Sequence, residues 1–216
     1  MSTVPGSYIR QRSIDEGSGR FTGVVHAIVT NNNDPDNLGR VKVKFPWMSD
    51  TDESPWARIA TPMAGGGRGA WFLPEVDDEV LVAFFQSDPR FPYVIAALWS
   101  RKDPPPADNS NGKNTLRLIK TPRGHQIKLD DEEGKESVEI IDASGENRIV
   151  IDIANDTITL QAAKDIVISA PQGTLTLTAQ KVTVESTADT AIAAHGSLAV
   201  TADSDMSIQG STVNIN

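Results

Sequence analysis

The chain has 216 residues, a formal net charge of −9 at pH 7, 38% hydrophobic residues and no cysteine. A surplus of carboxylates argues against nucleic acid as a partner, because that binding is driven by Lys and Arg neutralising phosphates; the missing cysteine removes disulfides and thiolate metal sites. No apolar run approaches the ~18 residues of a membrane span, and the N-terminus lacks the basic-then-apolar pattern of a secretion signal, so synthesis in the cytoplasm is expected.

Residues 1–20 mix glycine, serine and scattered charge without apolar periodicity. They read as a flexible arm, either a frayed terminus or a strap for a neighbouring subunit. Residues 21–100 read as a string of short strands. Phe21 to Thr30 is rich in Val and Ile, and the turn formers Asn31 to Asn37 follow it. Gly39 to Phe45 alternates apolar and basic residues, the mark of a strand with one face in a core. Trp56 to Thr61, Asp78 to Phe85 and Tyr93 to Trp99 complete the set. Several short antiparallel strands without a helical stretch predict a small barrel of the OB type. The run from Gly65 to Gly69 has no Lys-Ser/Thr ending and opens no helix, so it predicts a hairpin rather than a phosphate-binding loop. Lys42 and Lys44 read as the solvated face of their strand.

Residues 101–114 form a Pro- and Asn-rich linker, stiff at Pro104 to Pro106 and looser after it. Every aromatic residue precedes this seam. Residues 115–148 read as a β lead-in, with strands at Thr115 to Ile119, Gly124 to Asp131 and Val138 to Ile141.

Residues 149–216 carry apolar pairs that return every eight residues: Ile158 with Leu160, Ile166 with Ile168, Val182 with Val184, Leu198 with Val200, and Met206 with Ile208. Thr190 and Ile192 occupy the same slots, and Leu175 with Leu177 and Val213 with Ile215 slip by one residue. Spacing of two within a pair puts both side chains on one strand face. The Ala, Ser, Asp, Gly, Gln and Asn residues between pairs suit corners, and a bulged corner is expected at Pro171 to Gly173. A fixed period of this kind marks a solenoid or repeat fibre. The dry interior can be enclosed in two ways. One chain can build a triangular coil from three octads, or three chains can wind together; periodicity alone leaves both open.

Catalytic chemistry finds little support. His26, His125 and His195 are far apart in sequence, and no metalloprotease, nucleophile-elbow or cysteine-nucleophile motif is present. His125 reads as a turn residue. Asp130 with Asp131 and Glu132 with Glu133 read as a solvated turn, not a glycosidase pair. The chain is expected to be neither an enzyme nor the holder of a cofactor.

Three stretches carry a family resemblance: Asp34-Pro-Asp-Asn-Leu-Gly-Arg-Val-Lys-Val-Lys-Phe-Pro-Trp47, Trp56-Ala-Arg58, and Phe72-Leu-Pro-Glu-Val-Asp-Asp-Glu-Val-Leu-Val-Ala-Phe84. Together with Gly23 and Asp88-Pro-Arg90, they resemble the OB domain of contractile-tail spike proteins: the VgrG proteins of type VI secretion, phage baseplate spikes and the spikes of extracellular contractile injection systems. Asp77 departs from the pattern, which usually has Gly there, but Asp tolerates a left-handed backbone. The resemblance implies an all-β fold, an N-terminal OB barrel followed by an intertwined trimeric triple-stranded β-helix. It also implies a structural spike, assembled into a phage tail or injection particle, that punctures an envelope mechanically. Its implied partners are a separate baseplate hub at the OB end and a PAAR-type tip protein at the C-terminal end. In such a trimer three copies of His195 would approach one another as a candidate metal site, although its phase lies outside the inward pairs. The alternative reading is an OB module that grips glycan or an effector, displayed on a solenoid stalk.

Overall fold

A computed structural model describes residues 14–15, 20–21, 23–49 and 51–215. The rest of the expected N-terminal arm lies outside the described residues. Within them, β1 (Ile14–Asp15) pairs antiparallel with β2 (Arg20–Phe21). The chain divides into two compact units, residues 1–164 and 165–216.

The first unit begins with a barrel. Its strands are β3 (Val24–Asn31), β4 (Lys42–Lys44) and β5 (Arg58–Ile59), then the small hairpin β6 (Ala64–Gly65) and β7 (Arg68–Gly69), then β8 (Glu79–Phe84) and β9 (Pro92–Leu98). The main sheet runs β4-β3-β8-β9-β5. It closes where Val41 and Ala57 exchange backbone hydrogen bonds of 3.0 and 2.7 Å, linking the approaches to β4 and β5. Alternation supplies the core. Val25, Ala27 and Val29 of β3, Val41, Val43 and Phe45 around β4, Ala57, Val80 and Val82 of β8, and Val94 of β9 are all no more than 5% exposed. Lys42 and Lys44 point the other way, and Lys42 Nζ reaches Glu53 at 3.0 Å. Phe45 packs its ring 5.7 Å from that of Phe84. Bulges between Val29 and Asn31 and between Leu81 and Val82 bend the strands toward closure.

The expectation of purely antiparallel strands is corrected at one joint. β5 runs parallel to β9, with Arg58 opposite Tyr93 and Ile59 opposite Val94. The reason is topological. A closed ring of five strands cannot alternate direction all the way round, so one neighbouring pair must be parallel. The expected strand over Trp56 to Thr61 also contracts to Arg58–Ile59, and one 3₁₀ turn, Phe85–Ser87, follows β8.

The turn-rich segment before β4 is built around one carboxylate. Asp34, buried, accepts backbone N–H groups from Asp36, Leu38 and Arg40 at 3.1, 3.0 and 3.2 Å. It also accepts the Arg40 guanidinium at 2.7 and 2.8 Å. The Arg40 bond, helped by the backbone donors, holds the Asp34 carboxyl far below the usual carboxylate range and pushes Arg40 upward. Gly39 (φ +68°) lies under Trp71, whose ring would stand 2.7 Å from any Cβ at that position. Asp77 adopts φ +77° and donates its N–H to Val29 O at 2.9 Å, so the left-handed turn forms without glycine.

A second sheet completes the first unit: β10 (Leu116–Lys120), β11 (Gln126–Asp130), β12 (Ser137–Ile141), β13 (Arg148–Asp152) and β14 (Thr157–Gln161), an antiparallel meander in chain order. Pairing does not stop at Ile149, where the sequence suggests that the repeat takes over. Ile149 lies opposite Leu160 and Ile151 opposite Ile158, so the first octad pair belongs to this sheet in the single chain.

The second unit has no strand among its described residues. Its backbone is extended and broken by bends at Pro171–Gly173, Gln180, Thr187–Ala188, His195–Gly196, Asp203–Ser204 and Ser211, about one every eight residues. At the first of these Gly173 donates to Ala170 O at 3.1 Å, closing a turn where the bulged corner is expected.

Candidate functional site

The meander's registers sort its residues onto two unlike faces. Opposite residues form rows across the strands. One row is Ile119, Ile127, Ile140, Ile149 and Leu160, and the next on the same face is Arg117, Leu129, Val138, Ile151 and Ile158. Apart from Arg117 this face is wholly aliphatic. Val138 is half-buried, and its aliphatic neighbours are more open, from 41% exposed at Ile151 to 76% at Ile158. Curvature of the sheet makes part of the face a trough of about 470 Å³, lined by Ile119, Ile127, Ile140, Ile149 and Leu160 and ending at His125, Asp142 and Asn147.

The other face is mainly polar, with Leu116, Leu118, Ile141 and Val150 interspersed. Lys128 Nζ lies 3.0 Å from Glu139 Oε1 and 3.2 Å from Asp130 Oδ2, and Ser137 Oγ donates to Glu139 at 2.8 Å. Burial works to neutralise Lys128, but the bonds from Glu139 and Asp130 outweigh it and raise its pKa. Burial likewise opposes ionisation of Glu139, and the Lys128 bond wins and lowers it. Asp130 is lowered first by the backbone N–H of Glu132. The charged groups of this face are therefore satisfied within the chain, whereas the aliphatic face is open among the described residues.

The turn between β12 and β13 is fixed by Asp142. Its carboxylate accepts Asn147 Nδ2 at 2.7 Å and Ser144 Oγ at 2.7 Å, which brings its pKa to about 2. His125 Nδ1 accepts the Ala143 N–H at 3.2 Å, the turn role expected of it.

The predicted interior residues fall in two places. Ile158 and Leu160 are on β14, on the aliphatic face. Ile166, Ile168, Leu175, Leu177, Val182, Val184, Ile192, Leu198, Val200, Met206, Ile208, Val213 and Ile215 lie in the second unit, where every described residue is exposed. The single chain does not bring them together and does not wind them into a three-octad coil. His195 sits at a bend beside Gly196. Among the described residues, no group of three or more His, Cys, Asp or Glu side chains is placed to hold a metal ion, and no helix is long and apolar enough to cross a membrane. Sequence reasoning overlooked the aliphatic face itself. Its signal was available in the period-two alternation of Ile127 with Leu129, Val138 with Ile140, and Ile149 with Ile151.

The barrel matches a family model. The family model for the type VI secretion system/phage-baseplate injector OB domain matches residues 25–99, the span from the first buried residue of β3 to the end of β9. Residues 25–99 are thus similar to an injector OB domain. The type VI secretion system spike protein VgrG4b of Pseudomonas aeruginosa is 30% identical over 112 residues, covering 48% of this chain and 14% of the relative. Spike protein VgrG3 of Vibrio cholerae is 32% identical over 111 residues, covering 48% of this chain and 11% of that protein. VgrG1b of P. aeruginosa is 29% identical over 132 residues, 56% of this chain and 17% of the relative. The chain thus spans less than a fifth of the length of these relatives, and the similarity is to one portion of each. The injector OB domain accounts physically for the motif residues. Asp34 and Arg40 lock one loop, Gly39 admits Trp71, and the run from Glu79 to Phe84 forms the barrel's central strand.

Proposed function

We propose that this chain is the central spike of a contractile injection apparatus, acting as a homotrimer with the OB barrel as collar and residues 149–216 as the needle. The observation that carries this reading is the open aliphatic face of β10–β14, whose last strand already holds the first octad pair, Ile158 and Leu160. An apolar surface this extensive on a soluble chain marks an interaction site. The octad legs need partners twice over, because their extended backbone leaves N–H and C=O groups without in-chain bonds and their Val, Ile and Leu pairs are open to water. Strands contributed by two further copies satisfy both needs. The interior of such a three-sided rod is narrow, which fits the absence of aromatic residues after Trp99. Paired above and below, the strands resist axial load, and the action is mechanical. A hub at the OB end and a tip protein on the needle end are the partners this reading expects, and assembly into a phage tail or injection particle is the expected location.

Light scattering of the purified chain tests the trimer. The expected mass is three times 23.2 kDa, with a band that resists SDS until boiled; a mass of one chain at micromolar concentration would overturn the proposal. Function is tested by placing Val184→Asp in an otherwise complete particle. Loss of target killing with normal sheath contraction supports a mechanical needle, and unchanged killing argues against one.

A further inference from the structure

A repeat this regular has a register problem. If three octad legs pair side by side, sliding one chain by eight residues sets Ile158 where Ile166 stood and Val182 where Thr190 stood. A slip of one residue turns every side chain to the wrong face and is strongly disfavoured. A slip of eight keeps four of the seven overlapping pairs in phase, and only the offset pairs Leu175 with Leu177 and Val213 with Ile215 resist it. The octads therefore specify their own alignment weakly. Something outside the repeat must set it.

The geometry points to residues 116–161 as that device, and the assignment rests on the trimeric reading above. We propose that the β10–β14 sheet folds within each chain, docks face to face with two other copies, and so delivers three needle strands at one common height. Three observations support this. First, every ladder from β10 to β14 is made within one chain, whereas the described residues after Gln161 form none. The sheet can form in a unimolecular step, and the octads must wait for partners. Second, the sheet is not periodic. Its aliphatic face carries a single charged residue, Arg117, at one corner, which donates to Asn114 and to the Leu116 carbonyl. A face with one cation at a fixed corner has no equivalent shifted position. Third, Ile158 and Leu160 are at once the last strand of the sheet and the first pair of the repeat, with Ile166 and Ile168 eight residues on. Docking the sheets therefore fixes the first needle layer, and the bends already spaced along the second unit carry that alignment outward.

The test follows refolding of the full chain by pulsed hydrogen exchange at several protein concentrations. Amides of β10–β14 are expected to be protected first, at a rate independent of concentration, and octad amides later, at a rate that rises with it. Since the chain has no cysteine, Ser204→Cys at an exposed bend gives a single spin label per chain. One short inter-label distance is expected in the wild-type background. Ile140→Asp on the sheet face is expected to slow octad protection by about tenfold or more and to split that distance into several. Ile127→Ser serves the same purpose should Ile140→Asp fail to fold. Val200→Asp, inside the needle, is expected to fray the distal octads while sheet docking and mass are kept. Octads that protect before or together with the sheet in a trimeric protein would overturn the clamp alone. So would an Ile140→Asp or Ile127→Ser trimer that forms as fast as wild type with one distance. A chain that stays at 23.2 kDa with unprotected octads at every concentration removes the trimer and the clamp together.

Discussion

Among the described residues, Phe45 is the only aromatic side chain of the buried barrel core, whose other members are valines and alanines, and Phe84 packs against its ring. Its replacement by Ala leaves a void that small β-branched neighbours cannot fill, and should cost about 3–5 kcal/mol. All four tryptophans lie in residues 21–100, so denaturant unfolding followed by their fluorescence reads this loss in the barrel. Asp77 holds φ +77°, a conformation that costs a side chain energy and glycine little. Asp77→Gly is expected to raise barrel stability by up to ~1 kcal/mol and Asp77→Val to lower it, both measurable as shifts in denaturation midpoint. Asp142 titrates at about 2 in the fold against an ordinary 3.8, chiefly because Asn147 and then Ser144 bond its carboxylate. A depressed carboxyl stabilises the fold above its unfolded value and stops doing so as pH falls through the folded one. The β12–β13 turn should therefore be fully supported at neutral pH and lose that support between about pH 4 and pH 2. Amide exchange at Gly145 and Asn147, whose N–H groups face this carboxylate, is expected to speed up over that window. Asp142→Asn should remove the pH dependence.

At the scale of the elements, legibility tracks how local the determining interaction is. The barrel strands stand out in sequence because Val25, Ala27 and Val29, or Val80 and Val82, alternate with outward polar or exposed positions, and alternation is a property of one strand. The direction of a strand relative to its neighbour is not, so the parallel contact of β5 with β9 left no trace in either segment. The bends of the second unit were legible because Gly173, Gly196 and the Ser and Asp residues punctuate the chain at a fixed interval. The limit of the meander was not, because Ile149 with Ile151 and Ile158 with Leu160 share one spacing of two, whether their partner strand comes from the same chain or another. What distinguishes them is where the hydrogen bonds go. The polar face offers a test of that distinction. Lys128→Met removes the cation that Glu139 and Asp130 share, leaving two partly buried carboxylates about one strand apart. Loss of sheet stability is expected, larger at pH 7 than at pH 4, where protonation relieves the repulsion. Thermal melts followed by far-UV circular dichroism at the two pH values measure it.

At the scale of the whole molecule the charge is unevenly deployed. Residues 149–216 carry Lys164 and Lys181 against Asp152, Asp156, Asp165, Glu185, Asp189, Asp203 and Asp205. In the proposed trimer, three such stretches side by side would concentrate negative charge along a thin rod and keep it from binding anionic envelopes before it is driven into them. Assembly should accordingly be faster at high ionic strength, where the repulsion between chains is screened; a rate of octad protection that falls with added salt would contradict this. The bends of the second unit have one more consequence. With a corner about every eight residues, the length of the rod is a counted quantity rather than a continuous one. Removing residues 182–189 takes out one whole leg and corner and leaves the remainder in step, whereas removing 182–185 puts each later corner where a leg belongs. A family of proteins built this way can adjust its reach to envelopes of different thickness only in whole-number increments, as a ladder is shortened by rungs.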